Sequence, residues 1–118
     1  MAAPKLTKGC SAGALNADFL ASTPLDEHDY VCVQIAGTYS GTISFQGSND
    51  DSTWDAVVLN RSDDATGAVA ASTTASSVVY DGVVPYAYFR VRMTSYSSGT
   101  ATGAVVRKQV FAPPSRVA

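Results

Sequence analysis

The side chains with the most obvious chemistry lie in two acidic segments. His28 is the sole histidine, and it stands among three carboxylates at residues 26–29. A metal or acid–base site would need these side chains to converge, but neighbouring residues of an extended chain point to alternate sides. Residues 49–51, with Asp55, offer oxygen ligands for calcium but lack the spacing and the glycine of an EF-hand loop. We interpret both segments as solvated turns.

Covalent catalysis is not expected from this sequence. Serines are plentiful, but nucleophilic attack requires a base within reach, and the only histidine lies in a predicted turn. The sequence has no Gly-x-Ser-x-Gly elbow, no phosphate-binding loop and no Cys-x-x-Cys pair. We therefore expect no enzyme activity, no cofactor and no bound metal. Cys10 and Cys32 are expected to be free thiols, because the N-terminal segment does not resemble an export signal.

Arginines and tyrosines form the main candidate binding surface. In the segment YAYFRVRM they alternate with apolar residues, so they share one face of a predicted strand. An arginine from a neighbouring strand is predicted to join them. The candidate interface residues are Tyr86, Tyr88, Arg90, Arg92 and Arg107. Tyr and Arg are enriched at binding hot spots, and the positive charge suits an acidic partner. The alternative is a solvated sheet face whose charges oppose edge-to-edge aggregation.

Composition favours an all-β domain. The 118 residues include 25 Ser or Thr, 18 Ala and 14 Val, but 5 Leu and a single Glu. Helix-favouring residues are therefore scarce, while β-branched and small residues dominate. The net charge of −2 argues against bulk attraction to nucleic acid. No apolar run approaches the ~18 residues of a membrane span, so we expect neither nucleic acid nor membrane as a partner.

Alternating segments predict an antiparallel β-sandwich of about seven to eight strands, with turns every ~8–12 residues. Two Ser-Gly pairs are predicted to form tight hairpins, because glycine supplies the positive φ that such turns need. Gly41 and Gly99 are assigned to these turns, and Phe45 and Phe89 to the core. Trp54 is predicted to close one end of the core.

The predicted organisation is one domain with two extended ends. Residues 1–13 are small and polar without periodicity, so we predict an extended N-terminal arm. The β-sandwich domain is predicted to cover residues 14–111. Residues 112–118 contain two prolines, which cannot donate to a strand ladder, so we predict an extended C-terminal tail.

Two blocks of the sequence resemble bacteriophage virion proteins. The first is V-x-V-Q-I-x-G-T-Y-S-G-T-I-S-F-Q-G-S-x-D-x-x-x-W at residues 31–54, and the second is F-R-V-R-M-T-S-Y-S-S-G-T at residues 89–100. Small β-sandwich domains with this pattern are similar to capsid decoration (cement) proteins and to modules of tail and fibre proteins. Family members often have Asp-Gly before the tryptophan, whereas this chain has Asp51-Ser52 in that loop.

The resemblance implies a non-enzymatic decoration protein. Such a protein binds the outer surface of the major capsid protein lattice and stabilises the head, here as a homotrimer. Its location would be the capsid exterior of the virion, after assembly in the host cytoplasm. The alternative is a tail- or fibre-associated module that binds a host-surface glycan, because Tyr30, Tyr86 and Tyr88 are predicted to face outward and aromatic rings suit stacking on sugars.

Overall fold

The computed structural model of the chain describes residues 6–25, 28–62 and 68–109. The strands of this part, numbered in chain order, are β1 Leu6–Ala12, β2 Asp18–Pro24, β3 Tyr30–Ser48, β4 Asp55–Ala56, β5 Leu59–Arg61, β6 Val69–Ala70, β7 Ser72–Thr73, β8 Val78–Val83 and β9 Tyr88–Lys108. All their pairings are antiparallel, and no described residue is helical. The prediction of an all-β antiparallel fold is confirmed. Among these residues there is accordingly no helix long and apolar enough to cross a membrane.

Two long strands organise the sheet. β3 has 19 residues and β9 has 21, and they pair with each other from end to end. At one end the pair is flanked by β1 on one side and by β8, β5 and β6 on the other, and we call this part the β8 half. At the other end it is flanked by β2 on one side and by β4 and β7 on the other, which we call the β2 half. All strands therefore belong to one continuous hydrogen-bonded sheet.

The sheet bends so that its two halves face each other across the core. The ring of Phe45, in the β2 half, lies 5.1 Å from the ring of Tyr80 on β8. Tyr80 pairs with Val33, which is 12 residues (45 − 33) from Phe45 along β3. In a straight strand that separation would be roughly 40 Å, at ~3.3 Å per residue, so β3 must fold back over itself. The hydrogen-bonded ladder is continuous, so the strands form one sheet. The β-sandwich of two separate sheets stays a prediction.

The core follows the pleat of the two long strands. Odd-numbered residues of β3 and β9 point inward, as the period of two requires when one face is buried. Ten of them are at most 1% exposed: Val31, Val33, Ile35, Ile43, Phe45, Phe89, Val91, Met93, Ala101 and Val105. Neither residues 36–42 nor residues 94–100 include a buried one. The bend is therefore the stretch where the β3–β9 pair leaves the core.

Both predicted Ser-Gly hairpins are wrong, because the chain continues through each of them as a strand. Gly41 lies inside β3 at a register shift, and Gly99 lies inside β9. Residues 38–42 pair with residues 95–100. The two similar segments, Tyr-Ser-Gly at residues 39–41 and Tyr-Ser-Ser-Gly at residues 96–99, are thus partners in one ladder, and together they form the bend.

Glycine conformation makes this bend possible. Gly37 and Gly99 have φ of +87° and +83°, a region that other residues rarely adopt. The β3–β9 ladder is shifted between Ser40 and Gly41 and between Thr42 and Ile43; Gly99 pairs with Tyr39 just before the first shift, and Gly37 lies three residues before it. Such β-bulges increase the local twist and bend of a strand without reversing the chain. The glycines therefore turn the whole two-stranded ribbon and not the chain within it.

The structure tests only part of the two predicted extended ends. Residues 6–12 of the predicted N-terminal arm are strand β1, which pairs with residues 101–107 of β9, so the arm is wrong for this part. Residues 1–5 and the predicted tail at 112–118 lie outside the described residues. After the turn that follows β3, Val57 and Val58 separate the short strands β4 and β5.

The turn after β3 is held by Asp50. Its Oδ1 accepts hydrogen bonds from the backbone N–H of Thr53 at 2.7 Å and of Ser52 at 2.9 Å. The Ser48 hydroxyl donates to the same oxygen at 2.8 Å. Because these donors favour the ionised carboxylate, with the Thr53 N–H contributing most, they lower the pKa of Asp50 to about 2.

Substitution of Asp50 by Asn is expected to reduce the acid sensitivity of the domain. Since the folded-state pKa is depressed, the ionised group stabilises the fold above its unfolded pKa near ~4, and this contribution is lost as the pH falls towards about 2. The melting temperature of D50N should therefore fall less steeply than that of the wild type over this interval. Circular dichroism melts in closely spaced pH steps measure both slopes. Asp55→Asn removes the same charge outside this turn and should follow the wild type; equal slopes for D50N and wild type would contradict the assignment.

Candidate functional site: an arginine face on the sheet

Arg90 and Arg92 lie together on the outside of the β2 half. Their even-numbered positions in β9 point away from the core, opposite to Phe89 and Val91. We call this surface the arginine face. Its outward-facing members are Asp18, Gln46, Trp54, Tyr88, Arg90 and Arg92, and all of them are half-buried. The face combines residues from β2, β3, β9 and the segment before β4.

Arg92 is neutralised within the protein. Asp18 of β2 stands directly opposite Arg92 in the sheet. The Nε of Arg92 donates to Oδ1 of Asp18 at 2.7 Å, and Nη2 donates to Oδ2 at 3.4 Å. This hydrogen-bonded ion pair raises the pKa of Arg92. The two side chains are 29% and 28% exposed, so water screens the pair, and its contribution to stability is about 1 kcal/mol or less.

Arg90 is held in place without a carboxylate. Its Nε donates to Oε1 of Gln46 at 2.7 Å, and Gln46 is its direct partner in the β3–β9 ladder. The guanidinium carbon lies 4.1 Å from the centroid of a Trp54 ring, in cation–π geometry. Within the described ranges, no carboxylate lies at ion-pair distance from Arg90. Burial, and then the charge of Arg92, lower the pKa of Arg90, while Asp18 and Asp51 act in the opposite direction.

The prediction that Trp54 closes the end of the core is wrong. Trp54 lies half-buried on the outside of the sheet, against Arg90. The pairing of Ala56 with Gln46 explains this, because Trp54 is two residues before Ala56 and so shares its outward direction. The sequence shows no periodicity across the Asp50 turn, so it offers no signal for the face on which Trp54 emerges.

Two predicted interface residues do not join the arginine face. Tyr86 precedes β9 and packs on the inner side of Gly47, where an added Cβ would overlap its ring. Arg107 is near the far end of β9, in the β8 half, and its Nη1 donates to the carbonyl of Pro24 at 3.3 Å. The predicted grouping of Arg107 with the other two arginines is therefore wrong, whereas Tyr88 does lie beside Arg90.

The three tyrosines expected to face outward are dispersed. The Tyr30 hydroxyl donates to the Asp81 carboxylate, and the Nζ of Lys108 lies 4.8 Å from the centroid of the Tyr30 ring. These contacts are in the β8 half, whereas Tyr88 pairs with Pro24 in the β2 half, and Tyr86 lies against Gly47. The three rings therefore do not form one sugar-stacking platform.

The other chemistry-bearing residues do not converge in the described part of the chain. No three His, Cys, Asp or Glu side chains there are grouped so as to hold a metal ion, and residues 26 and 27 of the acidic segment lie outside it. No disulfide joins Cys10 and Cys32. They pair with Gly103 and Val106 of β9, an odd and an even position, so their side chains point to opposite faces of the sheet. Burial raises the pKa of the Cys10 thiol.

Comparison with known proteins gives a fold and no sequence family. No protein-family model matches the chain, and no curated protein matches it either. The crystal structure of the SPBc2 prophage-derived protein YomS is similar over 91% of this chain and 96% of that one, with a TM-score of 0.72 and 13% identity. The crystal structure of the PBSX exported protein XepA is similar over 87% of this chain, with a TM-score of 0.70 and 16% identity. This chain spans 38% of XepA, and the likeness to both proteins is one of fold.

Proposed function

We propose that the protein is a non-enzymatic structural component of a bacteriophage particle that decorates the capsid exterior and stabilises the head. The observation that carries this proposal is the fold shared with the prophage-derived YomS over nearly the full length of both chains. The resemblance of residues 31–54 and 89–100 to virion proteins points the same way. The PBSX exported protein XepA has the same fold in a longer chain.

The fold is suited to a protein that must resist mechanical force. The β3–β9 ladder runs through both halves of the sheet, so backbone hydrogen bonds connect every part of the described domain. A body of this kind can bridge neighbouring shell subunits without yielding when packaged DNA presses outward. We propose the major capsid protein as the partner and a homotrimer as the bound form, because several weak contacts on one lattice act together through multivalency.

The arginine face is the surface that we propose for this contact. It is outward-facing, includes the half-buried aromatic residues Trp54 and Tyr88, and is positively charged at Arg90. Aromatic residues and arginine dominate the energetics of protein interfaces. The protein's net charge of −2 does not favour a nucleic acid in this place.

The experiment compares particles assembled with and without the protein. Heat, chelation and low salt are applied to both, and DNA release is followed with an intercalating dye. Particles lacking the protein should release DNA at lower temperature, and addition of purified protein should restore the complete particles' resistance. Heat-denatured protein is the control for the addition. Equal resistance of both kinds of particle would contradict stabilisation of the head.

A second candidate function is an exterior glycan-binding module, in a tail or fibre. The observation that favours it is the outward position of Trp54 beside Gln46 and Arg90, since aromatic rings with neighbouring polar groups suit sugars. A glycan array distinguishes the two. Specific binding that is lost in Trp54→Ala would support the module, and no binding by the folded protein would remove it.

A further inference from the structure

The guanidinium of Arg90 retains donors that the described residues do not use. An arginine side chain has five N–H donors, and in Arg90 the Nε–H is taken by Gln46. Trp54 covers the guanidinium from one side. No other hydrogen bond or ion pair to Arg90 is formed within the described ranges. The terminal Nη groups are therefore not used by any described residue, and the carboxylate of a partner matches their planar geometry.

The position of Arg90 is fixed before any partner arrives. The hydrogen bond to Gln46 and the stacking on Trp54 restrain a side chain that would otherwise sample many rotamers. Such pre-organisation lowers the entropy lost on binding. Arg92, two residues along the same face, differs in that its charge is paired with Asp18.

The charges around Arg90 select one carboxylate over a polyanion. With Arg92 neutralised by Asp18, Arg90 is the uncompensated cation of the arginine face. Asp18 and Asp51 are close enough to act on its pKa, and Asp51 accepts a hydrogen bond from Ser22. Asp18 is paired with Arg92, so the repulsion of a nucleic acid or a polyphosphate would come from Asp51. A single acidic side chain, bound end-on to Arg90, meets the positive charge and stays apart from Asp51.

We infer that Arg90, fixed between Trp54 and Gln46, is the anchor for an acidic side chain of a protein partner that docks on the arginine face. The identity of the partner, a capsid surface, rests on the proposed function. The inference adds what that surface must present, which is a protruding Asp or Glu at each binding site.

Titration with a model peptide tests the inference without any virion. The probe is a capped pentapeptide, Gly-Gly-Glu-Gly-Gly, and the same peptide with Gln is its neutral counterpart. Trp54 is the only tryptophan, so its fluorescence reports on this site, and the Nε–H resonance of Arg90 gives a second readout by NMR. The Glu peptide should bind saturably, and at least five-fold more weakly to Arg90→Gln. Lys8→Gln removes one positive charge on β1 and should leave binding unchanged.

A second variant and several other outcomes of the titration also test the inference. Arg90→Lys keeps the charge but loses the planar group, so it should also bind at least five-fold more weakly, and it serves if Arg90→Gln does not fold. Absence of saturation, equal binding by the Arg90 variants, equal binding of the Gln peptide, or tighter binding of tripolyphosphate would overturn the inference. Arg90-dependent self-association in sedimentation experiments would also overturn it, by making a second copy the partner. A negative titration would contradict the role of Arg90 but not the stabilisation of the head. A negative particle experiment would contradict the stabilisation of the head but not the binding of a carboxylate by Arg90.

Discussion

Replacement of Phe45 by alanine is expected to destabilise the domain by about 3–5 kcal/mol, the usual effect of removing a large aromatic side chain from a core. Phe45 is fully buried, and its contact with Tyr80 joins the two halves of the bent sheet. Truncation leaves a cavity that both halves line, and the continuous ladder limits how far they can close it. Domains have total free energies of unfolding of about 5–15 kcal/mol, so the F45A variant should lose a large part of the stability of this domain.

Urea unfolding measures this effect, with Trp54 fluorescence and far-UV circular dichroism as two probes of the same transition. Val83→Ala is the matched control, because Val83 lies on β8 near Tyr80 but is 41% exposed. We expect the control to change stability by about 0.5 kcal/mol or less, as is usual for surface sites. A loss below about 1 kcal/mol in F45A would mean that the two halves are not held together through this ring.

Replacement of Gly99 by alanine is expected to destabilise the domain by about 2–5 kcal/mol, from backbone strain and overpacking together. Gly99 has a φ of +83°, and a Cβ built on it would stand 2.7 Å from the Cα of Tyr39 on the paired strand and closer still to the carbonyl of Thr38. These are backbone atoms of the ladder that forms the bend, so they cannot move aside as a flexible side chain would.

Gly9→Ala is the control for this substitution. Gly9 lies on the edge strand β1, and a Cβ there meets no atom within 4 Å. Alanine is preferred over glycine in a strand by roughly 0.5–1 kcal/mol, so G9A should be neutral or slightly stabilising. Thermal melts of both variants give the comparison. If G99A were as stable as G9A, the positive φ of Gly99 and its close approach to Thr38 and Tyr39 on the paired strand would be wrong.

The inward and outward residues of the long strands could be predicted from the sequence, but the path of the chain between them could not. Alternation identifies Val31, Val33, Phe45 and Phe89 as core residues because burial of one face acts residue by residue. A Ser-Gly pair is typical of a hairpin turn, but it also occurs at a β-bulge inside a continuous strand, so the local sequence does not distinguish the two. Only the long-range pairing of residues 38–42 with 95–100 distinguishes them.

The candidate site divides in the same way. Arg90 and Arg92 were predictable because they are two residues apart on one strand. Their partners were not, since Asp18 is 74 residues from Arg92 in sequence and Gln46 is 44 from Arg90. Those contacts depend on which strands are neighbours in the sheet. Trp54 depends in addition on the Asp50 turn, whose hydrogen bonds decide the face on which the next residues emerge.

The most direct test of the proposed function is the copy number of this protein in purified phage particles. Quantitative mass spectrometry gives its ratio to the major capsid protein, and labelling of intact particles with an antibody locates it. A decoration protein should be present in a fixed ratio to the major capsid protein and accessible over the whole head. Absence from the particles, or a few copies confined to the tail, would contradict the account.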